Sequence, residues 1–205
     1  MKFQLNGIDL DLDTTPELFS PFAPDKGTLA MLNAAEITPS DKVLDLGCGC
    51  GIVGIYAAKL IGEHSVTMTD TDPVAAQTAK QNAIKNNVPA VTVLCGNAYE
   101  NVHDTDFTLI LSNPPYHTDF AVAKSFIEGA YRHLTVGGRM VMVTKRLDWY
   151  KNKLTSVFGG VKVIESDGYY VFISEKRPRK PEKAKLKNTL SKKLSRKYNK
   201  FRSQK

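Results

Sequence analysis

Val43-Leu44-Asp45-Leu46-Gly47-Cys48-Gly49-Cys50-Gly51 runs from a mainly apolar strand straight into a loop with glycine at every second position. A short, nearly continuous apolar run reads as a strand covered on both faces, as in a parallel sheet. Glycines let the chain turn tightly and let a ligand approach the backbone, and the helix expected from about Ile52 to Leu60 aims its N-terminus at that loop. Strand and helix signals then alternate along the chain. Strands are expected over Lys42–Leu46, Ser65–Thr69, Val91–Cys95, Phe107–Ser112 and Arg139–Thr144. Between them, helices are expected over Pro73–Asn86, with Pro73 suited to a first turn, and over Phe120–Leu134, stopped by Gly137-Gly138.

A helix over Leu147–Phe158 leads to two last strands, Val161–Glu165 and Tyr169–Ser174, separated only by a short turn at Asp167-Gly168. So short a link forces an antiparallel hairpin. The pattern predicts an α/β fold: a doubly wound, mainly parallel seven-stranded sheet of Rossmann-like type that ends in an antiparallel hairpin. Ahead of it, Phe3-Gln4-Leu5 and Ile8-Asp9-Leu10-Asp11-Leu12 flank Asn6-Gly7, a strong short hairpin signal, and Lys26–Leu32 reads as a helix. The expected organisation is a hairpin-and-helix extension over 1–40, a main domain over 41–175 and a basic tail over 176–205.

A chain of 205 residues is long enough for a full hydrophobic core, and no apolar run approaches a membrane span. Cys48, Cys50 and Cys95 are too few for a disulfide framework, and the first residues lack a signal-peptide pattern, so a cytoplasmic protein is expected. The net charge of +7 is unevenly placed: residues 1–175 carry 14 Lys/Arg against 20 Asp/Glu, whereas 176–205 carry 14 Lys/Arg against Glu182 alone. Such a tail suits nucleic acid, and its Leu186, Leu190, Leu194 and Tyr198 recur on one face of a possible helix.

The chemistry lies at the expected carboxyl ends of the strands, where open α/β sheets place ligands. Asn113-Pro114-Pro115-Tyr116 follows Phe107–Ser112, and two prolines must end that strand. An Asn held there offers a carbonyl to a planar amino group, and a Tyr ring beside it offers a stacking face. Asp45 precedes the glycine loop, placed to meet an ammonium or hold loop amides. Asp70 ends the second strand, where a carboxylate takes ribose hydroxyls, and Asn97 follows the third, where it can meet an adenine edge. Cys48 and Cys50 are too close together for a usual zinc pair, and the four histidines show no metal spacing.

With this order and spacing, the chain resembles class I S-adenosylmethionine-dependent methyltransferases over roughly residues 21–175. Within them it is similar to the small-domain (MTS) group resembling 16S/23S rRNA guanine-N2-methyltransferases. Four stretches carry the closer likeness: Phe19-Ser20 with Asp25-Lys26-Gly27-Thr28; Ser112 through His117; Arg132-His133-Leu134 with Gly137-Gly138; and Phe158-Gly159 with Gly168-Tyr169. The resemblance implies that Gly47, Cys48, Gly49 and Gly51 line the methionine part of S-adenosylmethionine, with Asp45 near its amino group, Asp70 on its ribose and Asn97 by its adenine. Family members often carry Asp where Asn97 stands. It further implies that Asn113 and the Pro114 carbonyl accept the protons of a substrate amine, that Pro115 stiffens the turn and that Tyr116 stacks on the base. Larger members of the group carry an N-terminal domain that helps bind RNA; here that affinity is expected from the tail. The expected partner is ribosomal RNA or a ribosomal subunit, met by a monomer without metal or membrane. Adenine N6 in tRNA, a protein glutamine amide, and an inactive RNA-binding module remain open alternatives on the residues alone.

Overall fold

The computed structural model describes residues 1–14, 23–114 and 120–178. The N-terminal hairpin pairs β1 (Lys2–Leu5) with β2 (Ile8–Asp11) in a sheet of its own, and Asn6 and Gly7 both take positive φ at its turn. The main sheet then builds from β3 (Val43–Leu46), β4 (Val66–Asp70), β5 (Thr92–Cys95), β6 (Phe107–Ser112), β7 (Leu134–Thr144), β8 (Lys162–Ser166) and β9 (Tyr169–Glu175). Helices α1 (Lys26–Ala34), α2 (Ile52–Ile61), α3 (Pro73–Lys85), α4 (Phe120–His133) and α5 (Asp148–Phe158) cover it. The strand order is β5-β4-β3-β6-β7-β9-β8, with β5 through β7 parallel and β9 antiparallel to both neighbours. This is the seven-stranded, mainly parallel sheet expected from the sequence, with β9 inserted between β7 and β8.

Strand alternation divides the interior in two. Val43, Leu109, Leu111, Val141 and Val143 face one core, shared with α2, the small residues Ala75, Ala79 and Ala83 of α3, and the hairpin's Leu5 and Leu10. Leu44, Leu46, Ile110, Met140, Met142 and Phe172 face the other, beneath α4 and α5. A strand buried on both faces must be apolar on both, which is why its sequence shows no polar alternation. Side-chain caps start two of the helices. Asp25 accepts from the Thr28 amide at α1, and Asp72 accepts from Val74 at α3, with Pro73 at the first helical position.

One boundary differs from expectation by more than two residues. The strand after α4 begins at Leu134, not Arg139, and the helix ends before Gly137-Gly138 is reached. Leu134 already pairs with Phe107, the register shifts before Leu109 meets Arg139, and Gly137 and Gly138 exchange backbone hydrogen bonds with Lys176. The glycine pair therefore serves a strand irregularity: a Cβ on Gly138 would lie 3.0 Å from the Thr135 carbonyl oxygen and 3.1 Å from that of Phe107. Among the described residues no helix is long and apolar enough to cross a membrane, and the three cysteines are free thiols.

Candidate active site

From β3 the chain winds outward through β4 and β5, then returns to place β6 on β3's other side. The order reverses between β3 and β6, and the crevice beyond their carboxyl ends is where such sheets bind ligands. The Ser112 hydroxyl donates to the Leu46 carbonyl across this junction at 2.8 Å, fixing the two strand ends together. A cavity of about 390 Å³ opens there, lined by residues from the ends of β3, β4, β5 and β6 and from α1 and α4.

Asp45, Gly47, Cys48, Gly49, Asp70, Asn97, Asn113 and Pro114 all line this cavity. Gly51 does not. It starts α2 with φ +92, and a Cβ there would lie 3.1 Å from Ile55 Cδ1 and 3.2 Å from Ala79 Cβ. Its place is the junction of α2 and α3, one step behind the ligand face. Pro115 and Tyr116 lie outside the described residues, as does the basic tail beyond residue 178.

Asp70 is held from two sides. Its Oδ2 accepts from the Gly49 amide at 2.8 Å, and its Oδ1 accepts from the Asp72 amide at 3.0 Å. Each carboxylate oxygen keeps a further lone pair, so the group is fixed in direction and still able to accept from a ligand. Gly49 reaches it at φ +55 with open space around its α-carbon, which makes conformation, not crowding, the reason for glycine. The loop is also held from below: Asn82, fully buried on α3, donates to the Cys50 carbonyl at 2.8 Å.

Asp45 is only 2% exposed and accepts from the Gly54 amide of α2 at 2.9 Å. Burial pushes its carboxyl up to about 7; the Gly54 amide pulls the other way, and the Asp70 charge adds to the rise. Burial also pushes the Cys48 thiol well up and the Cys50 thiol to about 11, so both stay neutral sulfhydryls at physiological pH.

A raised carboxyl makes the protein most favoured where that group is neutral. The Asp45 contribution is fully present below the ordinary aspartate value of 3.8, declines as pH rises and is lost once pH passes about 7. In urea unfolding, the advantage of the wild type over Asp45→Asn is expected to shrink between pH 5 and pH 7 with a slope of at most about 1.4 kcal/mol per pH unit. A difference that stays constant over this range would show that Asp45 does not titrate there.

Asn113 shares with Thr69, also in the cavity lining, a buried side-chain oxygen that has no hydrogen-bond partner among the described residues. Its Nδ2 donates to Asp25 Oδ2 and to Thr28 Oγ1, both at 2.9 Å. Its Oδ1 is buried and accepts no hydrogen bond from the described residues. Buried acceptors are normally satisfied, so an orphan at the end of a sheet strand marks a place kept for a ligand's donor.

A family model described as the methyltransferase small domain matches residues 9–174. The chain belongs to the methyltransferase small-domain family. Two relatives, each called ribosomal RNA small subunit methyltransferase C, illustrate how far the likeness runs. The protein from Serratia proteamaculans is 31% identical over 190 residues, covering 91% of this chain and 54% of its own. The one from Haemophilus ducreyi is 33% identical over 164 residues, covering 76% and 49%. The chain thus spans about half the length of the curated relatives it matches. Among solved structures, the T. thermophilus 16S rRNA N2 methyltransferase RsmC in complex with AdoMet and guanosine superposes with a TM-score of 0.80 at 24% identity, covering 86% of this chain and 50% of that one. At that identity the superposition is a statement about fold.

In this member of the methyltransferase small-domain family the sequence motifs located the strand-end residues but not their supports. Asp25 and Thr28 fell in a stretch that carried the resemblance, with no role attached. Val122 and Phe126 of α4 form part of the cavity lining and carried no signal beyond helical spacing.

Proposed function

We propose that this chain transfers a methyl group from S-adenosylmethionine to an exocyclic amino group of a nucleobase in RNA, with guanine N2 of ribosomal RNA as the target. The observation that carries the reading is the Asn113 amide, whose donors are both engaged while its buried oxygen is not. A site built this way receives a hydrogen-bond donor, and an exocyclic amine is one.

The cavity residues suit the cofactor. Asp70 has fixed oxygens for ribose hydroxyls, Gly47, Cys48 and Gly49 offer close backbone approach, Asn97 stands at the end of β5 for the adenine, and Asp45 borders the part that would meet an ammonium. When bound, S-adenosylmethionine supplies an electrophilic methyl group. The amine lone pair is delocalised into the base and is a poor nucleophile. Asn113 Oδ1 and the Pro114 carbonyl accept the two amine protons, orient the nitrogen and favour the positive charge it acquires. Tyr116 supplies the stacking face for a base turned out of its helix. The methylated nitrogen is acidic and sheds its proton afterwards, so no strong base is needed.

RNA is favoured over protein by the charge around and beyond the site. Lys145 and Arg146 follow β7 directly, beside the Asn113 end of β6, and both are exposed. Lys145 lies over the Tyr169 ring and Arg146 over the Phe120 ring, each 4.9 Å from the ring centroid. Cations seated on aromatic faces near a base pocket suit backbone phosphates, and the tail adds affinity that needs no sequence reading. The relatives' name as ribosomal RNA methyltransferases supports ribosomal RNA as the substrate, and the guanosine bound by the T. thermophilus neighbour supports guanine as the base.

The test is partition of label. Protein, methyl-labelled S-adenosylmethionine and dissociated ribosomal subunits are expected to give label in the RNA fraction. Label confined to ribosomal protein, or absent from both fractions, would contradict the proposal.

A further inference from the structure

We infer that Asp25 is a positioning residue: it locks the Asn113 amide in the one orientation that presents an acceptor to the substrate, and so makes the pocket selective for amines. The inference rests on the role proposed above for Asn113 and concerns what gives that residue its direction.

A primary amide on a bare strand end can turn about its last bond, and its two faces have opposite chemistry. One shows an oxygen to the substrate, the other an NH₂ group that would repel an amine. The two orientations occupy nearly the same space, so packing alone chooses poorly between them. A carboxylate accepts and cannot donate, and its presence at 2.9 Å requires that Nδ2 face it. Thr28 Oγ1 takes the second amide proton at the same distance. With both side-chain protons engaged, the Asn113 amide has no donor left for the cavity, and its oxygen is the part without a partner among the described residues.

The Asp25 carboxylate is itself held by two parts of the fold, α1 and β9. As the N-cap of α1, its Oδ2 also accepts from the Thr28 amide at 3.0 Å. Its Oδ1 accepts from the Tyr169 hydroxyl at 3.2 Å, which reaches over from the start of β9. Gly27 keeps the space open. A Cβ there would lie 2.6 Å from Tyr169 Cδ1 and 2.8 Å from Asp25 Oδ2, closer than real Cβ atoms come. Residues 25, 28, 113 and 169 thus form one latch from three distant stretches of chain. A contact of this kind has no value to the helix cap, which the Thr28 amide already satisfies.

Two variants separate the latch from the cap. Asp25→Ser keeps an oxygen for the Thr28 amide but is too short to hold Asn113. Asp25→Asn keeps an acceptor of full reach, which the Thr28 amide holds toward Asn113, and replaces the charge and the Tyr169-facing oxygen with an NH₂ group whose hydrogen bond the Tyr169 hydroxyl can accept. Asp25→Ser is expected to lower kcat roughly tenfold or more, with KM for RNA and Kd for S-adenosylmethionine within about twofold, while Asp25→Asn stays near the wild type. An independent readout is the side-chain amide of Asn113 in nitrogen-15 NMR of the protein without ligands. Its two protons are expected to exchange slowly in the wild type and in Asp25→Asn, and fast in Asp25→Ser.

Full turnover in Asp25→Ser would reduce Asp25 to a cap, and equal loss in both variants would make it a charge acting on ligand directly. Either result overturns the latch, as does rapid exchange of the Asn113 amide in the wild type. A protected amide in a protein that methylates no RNA would instead leave the latch standing and remove the function proposed for it.

Discussion

Asn113→Ala is expected to lower kcat for methyl transfer by about 10²–10³-fold and to leave the Kd for S-adenosylmethionine within about twofold. The cause is the orphaned Oδ1. An acceptor preorganised in a buried site needs no rearrangement as the amine nitrogen gains positive charge, so it stabilises the transition state more than the bound substrate. Alanine removes that acceptor and leaves Asp25 and Thr28 with each other. The Gly49–Asp70 contact, which organises the cofactor side, involves neither Asn113 nor its partners. Calorimetry and single-turnover transfer, run on the same preparation, measure the two quantities. Parallel loss of both would mean that Asn113 supports the fold of the cavity rather than the reaction.

Asp70→Ala is expected to do the reverse, weakening S-adenosylmethionine on the order of 10²-fold while kcat at saturation falls only a few-fold. Two effects add. The ribose loses its charged acceptor, and the amides of Gly49 and Asp72 lose the group that holds them. Asparagine is no conservative replacement here. Both Asp70 oxygens face backbone N–H groups, so one end of an amide would set donor against donor. Asp70→Asn should therefore bind nearly as poorly as Asp70→Ala. Calorimetric affinity close to the wild type in both variants would remove Asp70 from the cofactor site.

Much of the fold was legible because its signals are local. Asn6-Gly7 and Asp167-Gly168 adopt the positive φ values that two-residue hairpins require, and β6 spans the residues its apolar run marked. The strand-end positions of Asp70, Asn97 and Asn113 followed from strand order alone. What escaped depends on residues far apart in the chain. Gly137-Gly138 looks like a helix stop, but its geometry is set by pairing with Phe107 and Lys176. Asp45 suggested a partner for an ammonium or for loop amides, and the amide it holds is that of Gly54, nine residues away in the first turn of α2. The latch is the extreme case, since Asn113 and Asp25 are 88 residues apart and Tyr169 and Asp25 are 144 apart. No periodicity or spacing rule reads contacts of that range.

The identity of the modified nucleoside tests the account most directly. Ribosomal RNA of the small subunit, incubated with the protein and methyl-labelled S-adenosylmethionine, can be digested to nucleosides and analysed by mass spectrometry. A single labelled product is expected, N2-methylguanosine, absent with Asn113→Ala. Label in N6-methyladenosine, in a ring-nitrogen or ribose methyl, or in no nucleoside at all would contradict it.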